Sequence, residues 1–240
     1  MVAWQILWER ADTRTLLGLL LTLTAYRIGL WGYQASGRNP ILHPAIVAIA
    51  LLISLLTVLD VPYETYFSGA YALHFLLGPA TVALGVPLYQ NFTLVRQRAK
   101  PIVLGLLAGA ITAPVSAVLI AHLLGGDSDT LRSMAPKSVT TPIAIELAEQ
   151  IGGLPSLAAA MVLLTGVFGC LLAPGLYRWL GIRDPAAQGF ALGVSAHGFG
   201  TVKAFEWGPT AGAFAALGLG MTGIVTASLL PLTVQWLAAW

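Results

Sequence analysis

The residues best suited to chemistry form short polar runs within apolar parts of the chain. The first run covers residues 136–142 and precedes a helix start marked by Pro142. Proline suits the first turn of a helix, where free N–H groups and the positive end of the helix dipole favour an anion. A lysine adds a full positive charge, and a threonine can cap the N–H groups. This run predicts a binding site for a carboxylate or phosphate, formed by Lys137, Ser138, Thr140 and Thr141.

The second run lies in the middle of an apolar stretch and is rich in glycine. Its candidate binding residues are Ser195, His197, Gly198 and Thr201, with Lys203 and Glu206 just beyond. An ionisable residue at membrane depth costs at least a few kcal/mol, which makes it a candidate functional residue. His197 can titrate near physiological pH. We therefore predict that His197, Lys203 or Glu146 carries a coupling proton.

A third run, Gly78-Pro79-Ala80-Thr81, has no charge. We expect it to supply free backbone groups opposite the second run, with Thr81 as a further binding residue. An ordinary proline-kinked helix accounts for this run equally well.

The first two runs also have structural interpretations. Lys137 can be an interfacial anchor whose neighbouring hydroxyls only cap a helix. His197 can be a packed histidine bonded to a neighbouring helix, with Lys203 and Glu206 at the membrane interface. The sequence leaves both alternatives open.

Composition defines the environment of these runs. Hydrophobic residues make up 57% of the 240 and charged residues only 9%, whereas a soluble domain carries about 25% charged residues. We therefore predict an all-α polytopic membrane protein, with no soluble domain to house an enzyme active site. The net charge of +2 is too small to indicate nucleic acid, and the single cysteine excludes an internal disulfide or a cysteine-based zinc site. We expect no metal and no other cofactor.

The spacing of apolar stretches predicts about seven transmembrane helices. A membrane helix needs about 20 mostly apolar residues. Five stretches satisfy this requirement without a break: residues 16–33, 41–59, 101–124, 154–177 and 208–240. Glycines and prolines interrupt three more, at residues 66–91, 136–153 and 188–207. We interpret the first and third of these as broken helices whose freed backbone groups face protein or a wet cavity.

The charged connectors predict that the remaining interrupted stretch is a re-entrant hairpin. Arg96, Arg98 and Lys100 form the most basic connector, which places it in the cytoplasm. Arg178 and Arg183 require the same side. Both conditions hold only if residues 130–153 enter and leave the membrane on the outer side.

This topology contains a candidate internal repeat. Residues 41–124 and 154–240 each read as span, broken span and span, in opposite orientations. Inverted repeats of this kind are common in secondary transporters. We predict one membrane domain, residues 1–240, built on such a repeat.

At these same runs the chain resembles the LrgB/CidB family over about residues 39–232. The resemblance rests on the motifs Asn39-Pro40, LGPATVA at 77–83, VPLY at 86–89, PKSVTTPIA at 136–144, Gly152-Gly153, Thr165-Gly166, Ala196-His197-Gly198 and Gly200-Thr201. It implies a multi-pass protein of the bacterial cytoplasmic (inner) membrane, with an LrgA-like membrane partner.

The resemblance implies two functions. One is an antiholin-like regulation of murein hydrolase export and autolysis. The other is transport of small carboxylates, since bacterial members are linked to pyruvate uptake and a plant plastid relative moves glycolate and glycerate. We favour a secondary transporter of small monocarboxylates, because a pore needs neither a buried lysine and histidine nor interrupted helices. The glycine-rich faces also allow a homodimer.

Overall fold

The computed structural model describes residues 11–76, 79, 82, 83 and 85–238, and every regular element in that part of the chain is helical. Two compact units are present, Met1–Ala83 and Leu84–Trp240. Four helices are long and apolar enough to cross a membrane: Thr13–Ala35, Ala99–Leu123, Pro155–Trp179 and Pro209–Val234. They match four of the five uninterrupted stretches. The fifth forms a shorter helix, Pro44–Val58, and the total of about seven remains a prediction.

The described part of the first unit includes α1 (Ala11–Ala35), a short 3-10 helix (Pro40–Leu42), α2 (Pro44–Val58) and α3 (Tyr63–Phe75). The Thr22 and Tyr66 hydroxyls join α1 to α3 at 2.6 Å. A Cβ atom at Gly18 would lie 2.6 Å from the backbone nitrogen of Ala70, so glycine permits this close approach. The first predicted broken helix, residues 66–91, falls in part on residues 77, 78, 80, 81 and 84, outside the described residues.

The second unit contains eight helices among its described residues and carries both long polar runs. They are α4 (Gly85–Gln90), α5 (Phe92–Gln97), α6 (Ala99–Leu123), α7 (Ser128–Met134), α8 (Thr141–Gln150), α9 (Pro155–Trp179), α10 (Pro185–Trp207) and α11 (Pro209–Ala238).

Residues 128–154, here called the first hairpin, fold back on themselves. The N–H of Leu154 donates to Ser133 Oγ at 2.7 Å, which ties the end of the segment to α7. The Ser133 hydroxyl in turn donates to the carbonyl oxygen of Asp129 at 2.6 Å. Between these ends, α8 packs its buried alanines against Ala158 and Val162 of α9. The hairpin therefore opens at the start of α9 and has its tip at residues 135–141.

Helix α10, here called the second hairpin, also folds back. Ala196 and His197 have non-helical dihedral angles and divide it into an outgoing arm and a returning arm. A Cβ atom at Gly200 would lie 2.4 Å from Leu192 O, although eight residues of straight helix span about 12 Å. Tyr177 contacts both ends, because its hydroxyl donates to Gln188 O at 2.9 Å and its ring lies 6.0 Å from that of Trp207.

This geometry corrects the sequence prediction for residues 188–207. We predicted a broken helix that crosses the membrane, and that prediction is wrong for this segment. The break is present, but it reverses the chain instead of kinking it. The physical reason is the unusual backbone of His197, with φ 42° and ψ −129°, which turns the returning arm against the outgoing one. The inverted repeat over residues 41–124 and 154–240 remains a prediction.

Close backbone packing holds the second hairpin on α11. A Cβ atom at Gly189 would lie 2.0 Å from Ala211 O, and one at Gly193 would lie 2.0 Å from Ala215 O. The two pairs have the same sequence offset, so the outgoing arm and α11 run parallel. Parallel packing of these neighbours is possible because the returning arm brings the chain back to its starting end.

The two hairpins open at opposite ends of α9. The first is tied to Leu154, at the start of α9, and the second to Tyr177, near its end. At the second opening Arg98 forms an ion pair with Asp184, whose carboxylate also caps α10 by accepting from Ala187 N at 3.1 Å. The start of α6 thus lies beside the opening of the second hairpin.

We predict that Gly200→Ala destabilises the protein, because its methyl group would meet the backbone oxygen of Leu192 and push the two arms of α10 apart. Overpacking of this kind costs roughly 1–3 kcal/mol. Thermal unfolding of the purified protein in detergent measures the loss.

The matched control is Gly220→Ala in α11, where an added Cβ meets no atom within 4 Å. It should leave the melting temperature unchanged or raise it, because alanine is the better helix former. Equal melting temperatures for both variants would contradict the folded-back arrangement of α10.

Candidate functional site

The tip of the first hairpin carries the predicted lysine and hydroxyl groups. Ser138 and Val139 are buried, and Lys137 is half-buried beside them. The Lys137 ammonium lies 3.4 Å from Ser138 Oγ. Within the described residues Lys137 makes no ion pair with an acidic side chain. The tip therefore presents a positive charge that no carboxylate of this part of the chain neutralises.

The start of α8 adds backbone donors at the same tip. Thr140 has the extended backbone of an N-cap residue and Pro142 lies in the first turn, as predicted. The predicted capping bond from a threonine hydroxyl is absent, because the Thr140 side chain accepts no N–H of the first turn. This corrects the capping assignment. The first-turn N–H groups are left without a side-chain acceptor, and Thr140 and Thr141 are both half-buried beside them.

The tip of the second hairpin is organised by His197. Its side chain is buried, and its Nε2 atom lies 2.9 Å from the carbonyl oxygen of Val162 in α9. A carbonyl oxygen only accepts, so Nε2 is the donor and carries a proton. The Thr201 hydroxyl donates to His197 O at 2.9 Å and secures the first turn of the returning arm. The histidine is thus both a packed residue bonded to a neighbouring helix and the centre of the tip.

The two tips meet near the middle of α9. The carbonyl oxygen of Val162 accepts the hydrogen bond from His197. The side chain of Val162 packs in the buried cluster that contains Val139 of the first tip. A Cβ atom at Gly166 would lie 2.9 Å from Phe199 Cβ and 3.0 Å from His197 Cε1, so glycine permits the close approach of the second tip to α9. Lys137 lies two residues before Val139 in the first tip. The first and second polar runs therefore form one cluster.

Space remains beside the second tip. A Cβ atom at Gly198 would meet no atom within 4 Å, in contrast to Gly166 and Gly200, where an added Cβ clashes. Gly198 is half-buried, so this part of the second tip is only partly covered by the described residues.

Other predicted site residues lie away from this junction. Ser195 is exposed, and its hydroxyl donates to Ala191 O within its own helix at 2.8 Å. Glu146 is exposed on α8 and accepts from Gln150. Lys203 is buried in the returning arm, where it donates to Glu206 at 2.8 Å. Thr81 lies outside the described residues. Of the three proton-coupling candidates, His197 is the one at the junction.

Sequence reasoning missed the contribution of α9 to this cluster. Val162 supplies a backbone oxygen, which no side-chain pattern reveals. Gly166 entered the sequence analysis only through the Thr165-Gly166 motif, without a role. The structure gives it one, because an added Cβ atom there would lie 2.9 Å from Phe199 Cβ and 3.0 Å from His197 Cε1, so glycine leaves room for the second tip.

A cavity of about 610 Å³ lies at the opening of the second hairpin, lined by residues that include Tyr177, Arg178, Arg183, Gln188 and Trp207. Two exposed arginines give it a positive character. The cavity lies near the end of α9 and is therefore separate from the junction of the tips.

The connectors at the two ends of the second unit differ in charge. Arg98, Arg178 and Arg183 lie at the end where the second hairpin opens. Near the other opening, the Asp127 carboxylate caps α7 and accepts from Thr130 N at 2.9 Å. Hydrogen bonds from the side chain and backbone of Thr130 hold the pKa of Asp127 below its usual value. The basic end is the one that the positive-inside rule assigns to the cytoplasm.

These features define a helical membrane protein with a polar cluster between two folded-back segments, and the comparisons with known proteins agree on its family. The LrgB-like family model matches residues 22–236. The chain belongs to this family, which confirms the resemblance seen in the sequence.

Several relatives match along almost their whole length. An uncharacterized protein of Bacillus subtilis, YxaC, is 36% identical over 91% of this chain and 94% of its own. Holin-like protein CidB of Staphylococcus epidermidis is 29% identical over 92% of this chain and 96% of its own. Antiholin-like protein LrgB of Bacillus cereus has the same identity and coverage. No solved structure matches the chain significantly.

We predict that His197→Gly unfolds at a higher temperature than His197→Ala. Both variants lose the bond to Val162, but only glycine relaxes at the positive φ of 42°. A residue with a side chain in such a region costs about 1–3 kcal/mol. Thermal unfolding of the two purified variants measures the difference.

A comparison at Ala196, where φ is −124°, serves as the control. Ala196→Gly should gain nothing, since its φ suits any residue. If His197→Ala proved as stable as His197→Gly, the strained backbone at this tip would be refuted.

Proposed function

We propose that this protein is a secondary transporter of small monocarboxylates such as pyruvate, glycolate or glycerate. The observation that carries the proposal is the meeting of the two hairpin tips on α9, where the first tip holds Lys137 and the uncapped start of α8 and the second holds His197. A charged side chain within a membrane segment is energetically costly, so its presence there favours a functional role. The negative charge of a bound carboxylate would neutralise the positive charge of the Lys137 ammonium.

The roles of the residues follow from their positions. Lys137 supplies the charge, and the first-turn N–H groups of α8, with Ser138, Thr140 and Thr141, supply hydrogen bonds to the carboxylate. His197, Gly198 and Thr201 form the opposite wall, where the open space at Gly198 accommodates the rest of a small molecule. A transport role of this kind needs no cofactor and no bond making, so we do not propose an enzyme.

Alternating access is the reason for two hairpins. We propose that both are re-entrant, the first from the outer face and the second from the cytoplasmic face of the bacterial inner membrane. Each tip then separates the site from one aqueous side by a short segment of chain. Movement of one tip or of the whole unit would expose the site to one side at a time. The basic cavity near Arg178 and Arg183 would attract the anion on the cytoplasmic side.

His197 is the proposed proton carrier. Its Nε2–H is committed to Val162 O, which leaves Nδ1 to take up a proton when an anion binds nearby. Transport coupled to a proton would then follow the pH gradient.

The names of the relatives favour a second candidate function. CidB is named holin-like and LrgB antiholin-like, which suits a regulator of murein hydrolase export and autolysis that works with an LrgA-like membrane partner. A regulator or pore partner has no need to bind a carboxylate. The two functions therefore differ in whether uptake saturates.

We predict that reconstituted protein takes up radiolabelled pyruvate, glycolate or glycerate saturably, and that Lys137→Met raises the apparent dissociation constant about 10- to 100-fold. Hydrogen bonds to charged groups contribute roughly 1.5–3 kcal/mol, which gives this range. Uptake into proteoliposomes, with and without a pH gradient, provides the measurement.

Lys100→Met is the matched control, because Lys100 is exposed in the first turn of α6, far from the tips in sequence. It should leave uptake unchanged. Leakage of dye or ions from the proteoliposomes without saturable uptake of any of the three carboxylates would reject the transporter and support the holin-like alternative.

A further inference from the structure

Thr222 of α11 is a buried polar residue whose hydroxyl group takes no part in the hydrogen bonding of the described residues. Its side chain is 2% exposed, and within the described part of the chain its hydroxyl has no hydrogen-bond partner. A buried hydroxyl without a partner disfavours the folded state, so such a group calls for an explanation.

Other helical threonines show that a local partner is normally within reach. The hydroxyl of Thr112 donates to Ala108 O at 2.6 Å, and that of Thr201 donates to His197 O at 2.9 Å. Both use the carbonyl four residues earlier, as helical threonines commonly do. Thr222 makes no such bond, so its hydroxyl is free to donate to something other than its own helix.

The position of Thr222 in α11 shows which segments of the chain lie near it. Spacings of three and four residues place it on the same face of α11 as Ala215 and Gly218. Ala215 packs against Gly193, and a Cβ atom at Gly218 would lie 3.1 Å from Val194 N, so this face lies against the outgoing arm of α10. The arm turns back at Ala196 and His197, and Thr222 lies one helical turn beyond Gly218, past the end of the arm.

The first hairpin begins on the other side of Thr222. A Cβ atom at Gly223, the next residue, would lie 3.2 Å from Ile143 Cδ1, and Ile143 is in the first turn of α8. Between Gly218 and Gly223, therefore, α11 passes from the outgoing arm of the second hairpin to the first turn of α8. Thr222 lies between these two positions and is buried.

We propose that the Thr222 hydroxyl is a substrate-binding group of the anion site, where it donates a hydrogen bond to an oxygen of the bound carboxylate. The assignment rests on the proposed function and makes α11 a third element that contributes a binding residue to the site. A lysine charge and a helix N-terminus attract any small anion, including chloride. A fixed hydroxyl donor favours an anion with an oxygen acceptor in one direction, so Thr222 selects an oxyanion over a halide.

The test separates binding from stability. Valine has nearly the shape of threonine without the hydroxyl, so Thr222→Val removes an unsatisfied group, and its ligand-free melting temperature should equal or exceed that of the unaltered protein. Its affinity for the carboxylate should fall roughly tenfold or more. Thr222→Ser keeps the hydroxyl and should retain most of the affinity.

The measurement is the ligand-dependent shift in melting temperature of the purified protein in detergent, titrated separately with pyruvate, glycolate, glycerate and chloride. The control is Thr112→Val, whose hydroxyl bonds within α6 and which should bind as the unaltered protein does.

Three results would overturn the assignment. Equal carboxylate affinity in Thr222→Val and the unaltered protein rejects Thr222 and leaves the proposed function standing. A lower ligand-free melting temperature in Thr222→Val, with an equal loss of affinity in Thr222→Ser, shows a packing role instead. If none of the three carboxylates stabilises the unaltered protein, the proposed function and this assignment fail together.

Discussion

The second unit depends on a constraint that membranes impose on any chain that turns back inside them. Backbone N–H and C=O groups freed at a turn must find partners in protein or water, since lipid offers none. Both hairpin tips are held away from lipid by contacts with α9. The bond from His197 to Val162 O fixes the second tip, and the cluster of Val139 with Val162 fixes the first. Helix α9 is therefore the common support on which the two tips meet.

Small residues make that arrangement possible and leave the tips chemically active. Gly189 and Gly193 bring the outgoing arm of α10 into backbone contact with α11, and Gly166 admits the His197 ring. The tips themselves keep polar groups that the fold does not use, namely the uncapped start of α8 and the Lys137 ammonium. Stability thus comes from close packing of the arms, and the chemistry is concentrated at the tips. This division suits a site that must bind and release a small anion.

The sequence predicts the apolar spans well, because length and hydrophobicity alone decide them, and it places Lys137 and His197 in interrupted segments. It fails at residues 188–207, since a glycine-rich break reads the same whether a helix kinks or reverses. Only contacts between distant residues, such as Gly200 with Leu192, distinguish the two. It also overlooks Thr222, because a threonine in an apolar helix usually bonds to its own backbone, and only the structure shows that this one does not.

The most direct test asks on which side of the membrane each hairpin opens. Single cysteines at Ala187, Pro209 and Ser156, in a Cys170→Ala background, can be labelled with an impermeant maleimide in right-side-out and inverted vesicles. All three positions lie in helices of the second unit, near the openings of the hairpins. Two re-entrant hairpins that open on opposite faces predict that positions 187 and 209 react from one side and position 156 from the other. Reaction of positions 187 and 209 from opposite sides would show that α10 crosses the membrane and is not a re-entrant hairpin.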